Sequence, residues 1–303
     1  MCTLPHCKKI LYNPYMHLKQ AKSILSAHNG MNISRGCTHG CIYCDSRSKC
    51  YHIEHDFEDV QIKSNAPALL EEALKRKRNK CMIGTGSMGD AYIPIPENLA
   101  NIRSCLEIID RHGCGISILT KSDLILQDLD LLVSINKKAK CIFQTTLTTF
   151  DENLCKIIEP NVCGTKRRFE VLKIMRDNGI QTIVWLSPFL PFINDTEENL
   201  RGLLNYCINA GVYGILCWGI GLTLRDGNRE YFYSKLDKHF PGLKKEYQKK
   251  YGLNYEIHSG NSEALMRIFY DTCNKNNIVC NNNDLFGYMN AFEIKNGKQL
   301  DLF

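Results

Sequence analysis

From about residue 32 onward, short β-rich runs alternate with helical patterns, and this alternation restricts the chain to repeated βα units around a parallel sheet. Strands are read at 32–34, 80–84, 115–120, 140–147, 181–187 and 212–218. Between the second and third lies PENLANIRSCLEIIDRHG, 96–113, where Pro96 suits a first helical turn, Leu99, Ile102, Leu106 and Ile109 line one face, and Gly113 ends the helix. Six such units without two more predict an α/β fold, a partial (β/α)6 barrel of the TIM type. Reactive groups in such barrels gather at the C-terminal strand ends. No Pro/Ser-rich linker or short-period repeat breaks the pattern. Residues 31–280 are therefore read as the barrel with its C-terminal helices, 228–277 completing its outside. Residues 1–30 form an N-terminal extension, and 281–303 an extended tail beginning at NNND.

A chain of 303 residues that is 44% apolar can fill such a core. Its first residues, MCTLPHCKKI, lack the apolar run of a signal peptide, and no apolar stretch approaches the ~20 residues of a membrane span. The expectation is a cytoplasmic protein without a membrane partner, whose sixteen cysteines remain thiols. Cys81, Cys141 and Cys217 fall in apolar strand-like stretches and read as small core residues. The net charge of +6, with basic runs at 75–80, 166–168 and 244–250, permits a polyanionic partner such as DNA or RNA. KRKRNK, at 75–80, also reads as the solvated last turn of a helix.

One cysteine group is tight. RGCTHGCIYC, 35–44, separates Cys37, Cys41 and Cys44 by three residues and then two. Zinc is one occupant to weigh, because Cys50, His52 and His55 follow and a structural zinc site takes four nitrogen or sulfur ligands. The spacing argues against it, since zinc ribbons pair their ligands in separated two-cysteine knuckles. Three thiolates on a compact loop instead suit three irons of a cubane 4Fe-4S cluster, leaving the fourth iron for another ligand.

With an aromatic residue, Tyr43, just before the last cysteine, the loop resembles that of the radical S-adenosylmethionine superfamily over roughly residues 30–220. The resemblance implies that the open iron binds S-adenosylmethionine and that Tyr43 contacts its adenine. It further implies that Gly84, Thr85 and Gly86, after the second strand, approach the methionine amino group. Lys121, after the third strand, would neutralise the cofactor carboxylate, and Thr146, on the fourth, would partner the ribose. A flavodoxin- or ferredoxin-type electron donor is implied as well.

RGCTHGCIYCDSRS, GTGSMGDAYIP, LTKSDLILQDLDLL, TTLTTFDENLCKIIEP and SPFLPFINDTEENL resemble more narrowly the spore photoproduct lyase-like branch, often labelled DNA repair photolyases. That branch implies hydrogen abstraction from a nucleic acid. Its dimer-splitting members carry a hydrogen-donating cysteine where this chain has Gly84 and a tyrosine where it has Asp45, two departures at radical-handling positions. Cys81 and Cys217 are the remaining candidate hydrogen donors. Asp90, Glu159, Arg168 and Asp195 are polar candidates for substrate handling, each equally suited to a helix-capping or solvent-facing role. A peptide or small-metabolite substrate and a zinc-held nucleic-acid module are the alternative functions.

The last five residues, Gln299, Leu300, Asp301, Leu302 and Phe303, resemble the peptide by which bacterial polymerases and repair enzymes engage the DNA sliding clamp. Leu302 and Phe303 would enter an apolar groove while Gln299 bonds at its rim. The alternative is that Leu300, Leu302 and Phe303 pack back on the barrel.

Overall fold

The computed structural model describes residues 16–86 and 88–294. In chain order the strands are β1 (Met16–Lys19), β2 (Gly30–Met31), β3 (Ser34–Arg35), β4 (Val60–Lys63), β5 (Met82–Thr85), β6 (Gly115–Leu119), β7 (Cys141–Thr146), β8 (Gln181–Trp185), β9 (Gly214–Leu216), β10 (Gly221–Thr223) and β11 (Glu256–His258). The helices are α1 (Ala66–Arg76), α2 (Pro96–His112), α3 (Leu129–Lys138), α4 (Glu152–Ile158), α5 (Thr165–Asp177), α6 (Glu197–Ala210), α7 (Asn228–His239), α8 (Leu243–Tyr251), α9 (Ser262–Lys275) and α10 (Asn282–Asn290). Six strands pair in parallel in the order β2-β5-β6-β7-β8-β9, giving the α/β partial barrel expected from the alternation. The helix expected after β5 is α2, closed by Gly113 at φ 62°.

Alternate residues of each strand point to opposite faces. Ile83, Ile116, Phe143, Val184 and Ile215 join the large core under the helices, while Met82, Ile142, Ile183 and Leu216 form a second cluster on the other face. Leu285 and Met289 of α10 fill that second cluster. Gly214 accommodates this contact, since a Cβ there would lie 2.3 Å from Leu285 Cδ2. Lys140 at the start of β7 donates to the Tyr288 carbonyl and to Glu293, each at 2.7 Å, fastening the helix across the N-terminal end of the barrel.

Three expectations change. The first strand lies at Gly30–Met31 rather than 32–34, because the chain leaves the parallel sheet there and Ser34–Arg35 pairs antiparallel with β4. NNND does not begin an irregular tail: Asn281 accepts from the amides of Asn283 and Asp284, a helix N-cap, and α10 follows. Residues 228–277 do not all clothe the barrel. Leu265, Phe269 and Cys273 of α9 join the main core, but α7, α8 and the β10–β11 ribbon pack against Cys41, Ile42 and Tyr43. The small sheet β1-β4-β3 and the β10–β11 ribbon had no counterpart among the strands read from the sequence.

Candidate active site

The three-cysteine loop begins at the C-terminal side of β2 and β3 and is clamped from two directions. Cys37 N donates to Phe57 O at 2.9 Å and Ile42 N to Ile158 O at 3.0 Å, while Asn161 bonds the carbonyls of Thr38 and His39. Gly36 adopts φ 86°, and a Cβ would meet Phe57 O at 2.5 Å, so only glycine permits this approach. Cys37, Cys41 and Cys44 are all free thiols, the first two buried. Burial pushes Cys41 and Cys44 up; at Cys37 the adjacent His39 overcomes burial and pulls the thiol down.

His39 was not among the residues singled out from the sequence. It is 3% exposed, and its Nδ1 lies 3.4 Å from Asp90 Oδ2. Burial works against its charge, but Cys37 and Asp90 raise it to about 9. Asp90, one of the polar candidates, also accepts from the amides of Tyr92 and Lys121, both at 2.8 Å, and from the Thr120 hydroxyl. Its carboxylate therefore fastens the segment after β5 to the end of β6 and to the cysteine loop.

Glu159 and Arg168, candidates for substrate handling or for a capping or solvent-facing role, are engaged with each other and with Tyr43. The Tyr43 hydroxyl donates to one oxygen of Glu159 and Arg168 Nη2 to the other; both charged groups are about 1% exposed. Arg168 further donates to Thr146 O at 2.7 Å and Cys163 O at 3.0 Å. Despite burial, Arg168 and Lys121 hold the Glu159 carboxyl below its usual range. This tie fixes the Tyr43 ring relative to the end of β7. Asp195 is likewise engaged within the protein, accepting from Ser259 Oγ.

Lys121 lies just past β6, its Nζ 5.9 Å from the centre of the Tyr43 ring. Burial opposes its charge, but the neighbouring Cys41 and Glu159 outweigh it and raise the ammonium above its ordinary value. Gly84 and Gly86, expected to act alike, separate. A Cβ on Gly84 would meet nothing within 4 Å, whereas one on Gly86, at φ 94°, would strike Leu119 O at 1.9 Å. Gly86 thus serves the packing of β5 on β6, and Gly84 faces open space. Thr85 and Thr146 are buried at the ends of β5 and β7.

The two hydrogen-donor candidates do not join this group. Cys81 precedes β5 at the opposite end of the barrel and bonds to Cys114. Cys217 lies beyond β9, but its side chain enters the helix-side core, with Sγ 3.8 Å from Met266 Sδ. Alternation along the strands turns both thiols away from the inner face. Cys50, His52 and His55 are not gathered either: Arg225 Nη1 donates to Cys50 Sγ at 3.4 Å, and His55 meets the ring of His17 edge-on. Among the described residues no three His, Cys, Asp or Glu side chains converge on a point suited to one metal ion. The donor set of the tight loop, three free soft sulfurs with Lys121 beside them, fits a cluster that takes three protein thiolates and an anionic fourth partner. Gln299, Leu300, Asp301, Leu302 and Phe303 lie outside the described residues.

Two of the three basic runs, 166–168 and 75–80, pair within the protein; the third, 244–250, lies on α8. In 166–168, Arg168 is buried and Arg167 pairs with Asp123 and Glu170 at 2.9 Å. Lys75 and Arg76 pair with Glu71 and Glu72 at the end of α1, which leads into the N-terminal end of β5. Neither forms a basic face around the cysteine loop.

The family description "Radical SAM superfamily" matches residues 31–205. An uncharacterized protein of Methanocaldococcus jannaschii is 36% identical over 164 residues, 54% of this chain and 60% of that protein. One from Mycobacterium bovis is 28% identical over 229 residues, 73% of this chain and 66% of that protein, so both matches span under two thirds of those relatives' lengths. Among solved structures, spore photoproduct lyase complexed with dinucleoside spore photoproduct superposes with TM-score 0.61 at 12% identity, covering 86% of this chain and 79% of that one. That likeness is one of fold.

Proposed function

The chain belongs to the radical SAM superfamily, whose members bind a 4Fe-4S cluster and S-adenosylmethionine, and from that membership we propose that it is an enzyme that repairs or modifies DNA or RNA by radical chemistry. When bound, the two groups supply a 5'-deoxyadenosyl radical that removes hydrogen from an unactivated carbon. Cys37, Cys41 and Cys44 provide the protein thiolates. Lys121 offers its ammonium to the carboxylate of S-adenosylmethionine, and the fixed Tyr43 ring borders its adenine. Gly84 and Thr85 present backbone at the end of β5, where the absence of a side chain on Gly84 leaves room, and Thr146 offers a hydroxyl to the ribose.

The observation that carries this reading is the meeting of three free thiols, Lys121 and the Tyr43–Glu159–Arg168 tie at the C-terminal end of a parallel partial barrel. Nucleic acid is favoured by the five branch-like sequence stretches and by the fold likeness to a lyase solved with a dinucleoside lesion. The reaction differs from dimer splitting. Gly84 supplies no thiol, and Asp45 accepts hydrogen bonds from Ser48, Tyr51 and Thr223, which hold it within the protein. Cys81 and Cys217 are not assigned as donors.

The electron enters from a flavodoxin or ferredoxin, and QLDLF at the chain end engages a bacterial sliding clamp. No helix among the described residues is long and apolar enough to cross a membrane; we place the protein in the cytoplasm. The test is anaerobic reconstitution followed by reaction with S-adenosylmethionine, dithionite and deuterated DNA or RNA. About four irons per chain and deuterium in 5'-deoxyadenosine are expected. Cleavage without deuterium transfer from either nucleic acid removes the substrate class, and one bound zinc without cleavage removes the enzyme.

A further inference from the structure

Beyond Leu216, where β9 ends, the chain carries Trp218 past the edge of the six-stranded sheet. Its indole is 60% exposed, although its backbone amide is anchored 3.5 Å from Ser187 Oγ after β8. A lone surface aromatic is ordinary. This one has company: Trp218, Tyr270 of α9, Cys280 and Asn281 to Asn283 wall a cavity of about 480 Å3, within the roughly 300–1,000 Å3 of small-ligand sites. Tyr270 is itself 47% exposed.

The wall is hydrogen-bonded where it meets the barrel. Asn282 accepts from Cys217 N at 3.4 Å and donates to Cys217 O at 3.0 Å, fixing the start of α10 beside the strand end. Asn281 is held as the N-cap of that helix. The ring of Phe286 lies 5.9 Å from Trp218 and 6.1 Å from Trp185, whose indole donates to Gln144 at 2.7 Å. An aromatic row thus runs from Trp185 of β8 through Phe286 out to Trp218, at the end of the sheet that carries the cysteine loop. Flat π-faces beside the exposed amide of Asn283 match a ligand that is planar and carries hydrogen-bonding groups on its rim. A nucleobase has both properties, and stacking accepts any base.

Resting on the nucleic-acid reading above, we infer that this cavity binds an unstacked base of the substrate strand, with Trp218 as the stacking platform. It positions the strand at the edge of the barrel and takes no part in the chemistry. The chain has two tryptophans, so Trp185→Phe leaves Trp218 as the only one. In that background, titration with a labelled single strand of about 12 nucleotides, as DNA and as RNA, reports total binding by anisotropy and local binding by indole emission. Quenching of Trp218 in step with anisotropy is expected. In the otherwise natural chain, Trp218→Leu should weaken binding about tenfold or more, with Trp218→Phe close to the natural chain and iron content unchanged in both. Strand binding that neither quenches Trp218 nor weakens in Trp218→Leu overturns the site and leaves the nucleic-acid reading standing. No strand binding by the intact chain overturns both.

Discussion

The two ends of the barrel solve opposite problems with the same strands. Across the inner face, Met82, Ile142, Ile183 and Leu216 meet Leu285 and Met289, and α10, fastened by Lys140 at the N-terminal end, closes that face with apolar contact. At the C-terminal end, the groups are a buried Glu159–Arg168 pair, a His39–Asp90 pair, Lys121 and three thiols, with the buried hydroxyls of Thr145, Thr148 and Thr149 lacking partners within the protein. Each unpaired buried hydroxyl costs about 1–3 kcal/mol. The inner face is therefore closed by apolar packing, while the open end retains buried polar and charged groups.

The sharpest way to break this division is at the thiols. Replacing Cys37, Cys41 or Cys44 with Ala should abolish both the absorbance of the reconstituted cluster and cleavage of S-adenosylmethionine, with the apoprotein still folded by circular dichroism. Loss of the cluster in Cys50→Ala but not in Cys41→Ala would refute the ligand set.

Next comes the ion pair that supports Tyr43. Arg168→Met leaves the Glu159 carboxylate buried without its partner and should lower stability by about 3–5 kcal/mol in urea unfolding. Adding Glu159→Gln should recover part of it. If the single variant unfolds like the natural chain, the pair does not hold the open end together.

At the other end, Leu285→Ala should cost about 2–5 kcal/mol, because the space under Gly214 cannot collapse against a helix fastened through Lys140. Iron content and cofactor cleavage should survive at temperatures where the variant is folded. Equal loss of cluster binding would show that the two ends are not independent.

A smaller and more local effect is expected from Lys121→Ala. S-adenosylmethionine affinity should fall about tenfold by calorimetry, with iron content preserved, since the change removes a charge partner and no thiolate. Unchanged affinity would take Lys121 out of the site. Removal of residues 299–303 should affect neither end: cofactor cleavage stays as it was, and only micromolar binding to a bacterial sliding clamp disappears. Equal binding with and without those residues, or no binding by the intact chain, rejects the clamp partner.

The periodic features were legible before the structure. The stripe of α2, the Gly113 stop and the parallel strands follow from spacing, because a strand or helix repeats its burial pattern in the sequence itself. The cysteine loop was legible because its three cysteines are neighbours in the chain. His39 was not, because its partner Asp90 lies across the fold and one histidine in a loop has no distinguishing period. The N-cap of α10 was hidden by composition: four consecutive polar residues read as irregular chain until Leu285 and Met289 find the inner face of the barrel.

By itself, then, the sequence determined the barrel strands from β5 to β9, the helix α2 and the spacing of the thiols, since these are set by short-range geometry along the chain. Only the tertiary structure decided that Cys81 and Cys217 turn away from the inner face, that Glu159 and Arg168 brace Tyr43, and that α7 and α8 back the cysteine loop. Those outcomes depend on which distant side chains share a buried space, where an ion pair or a thiol must find its partner within the protein because water is excluded.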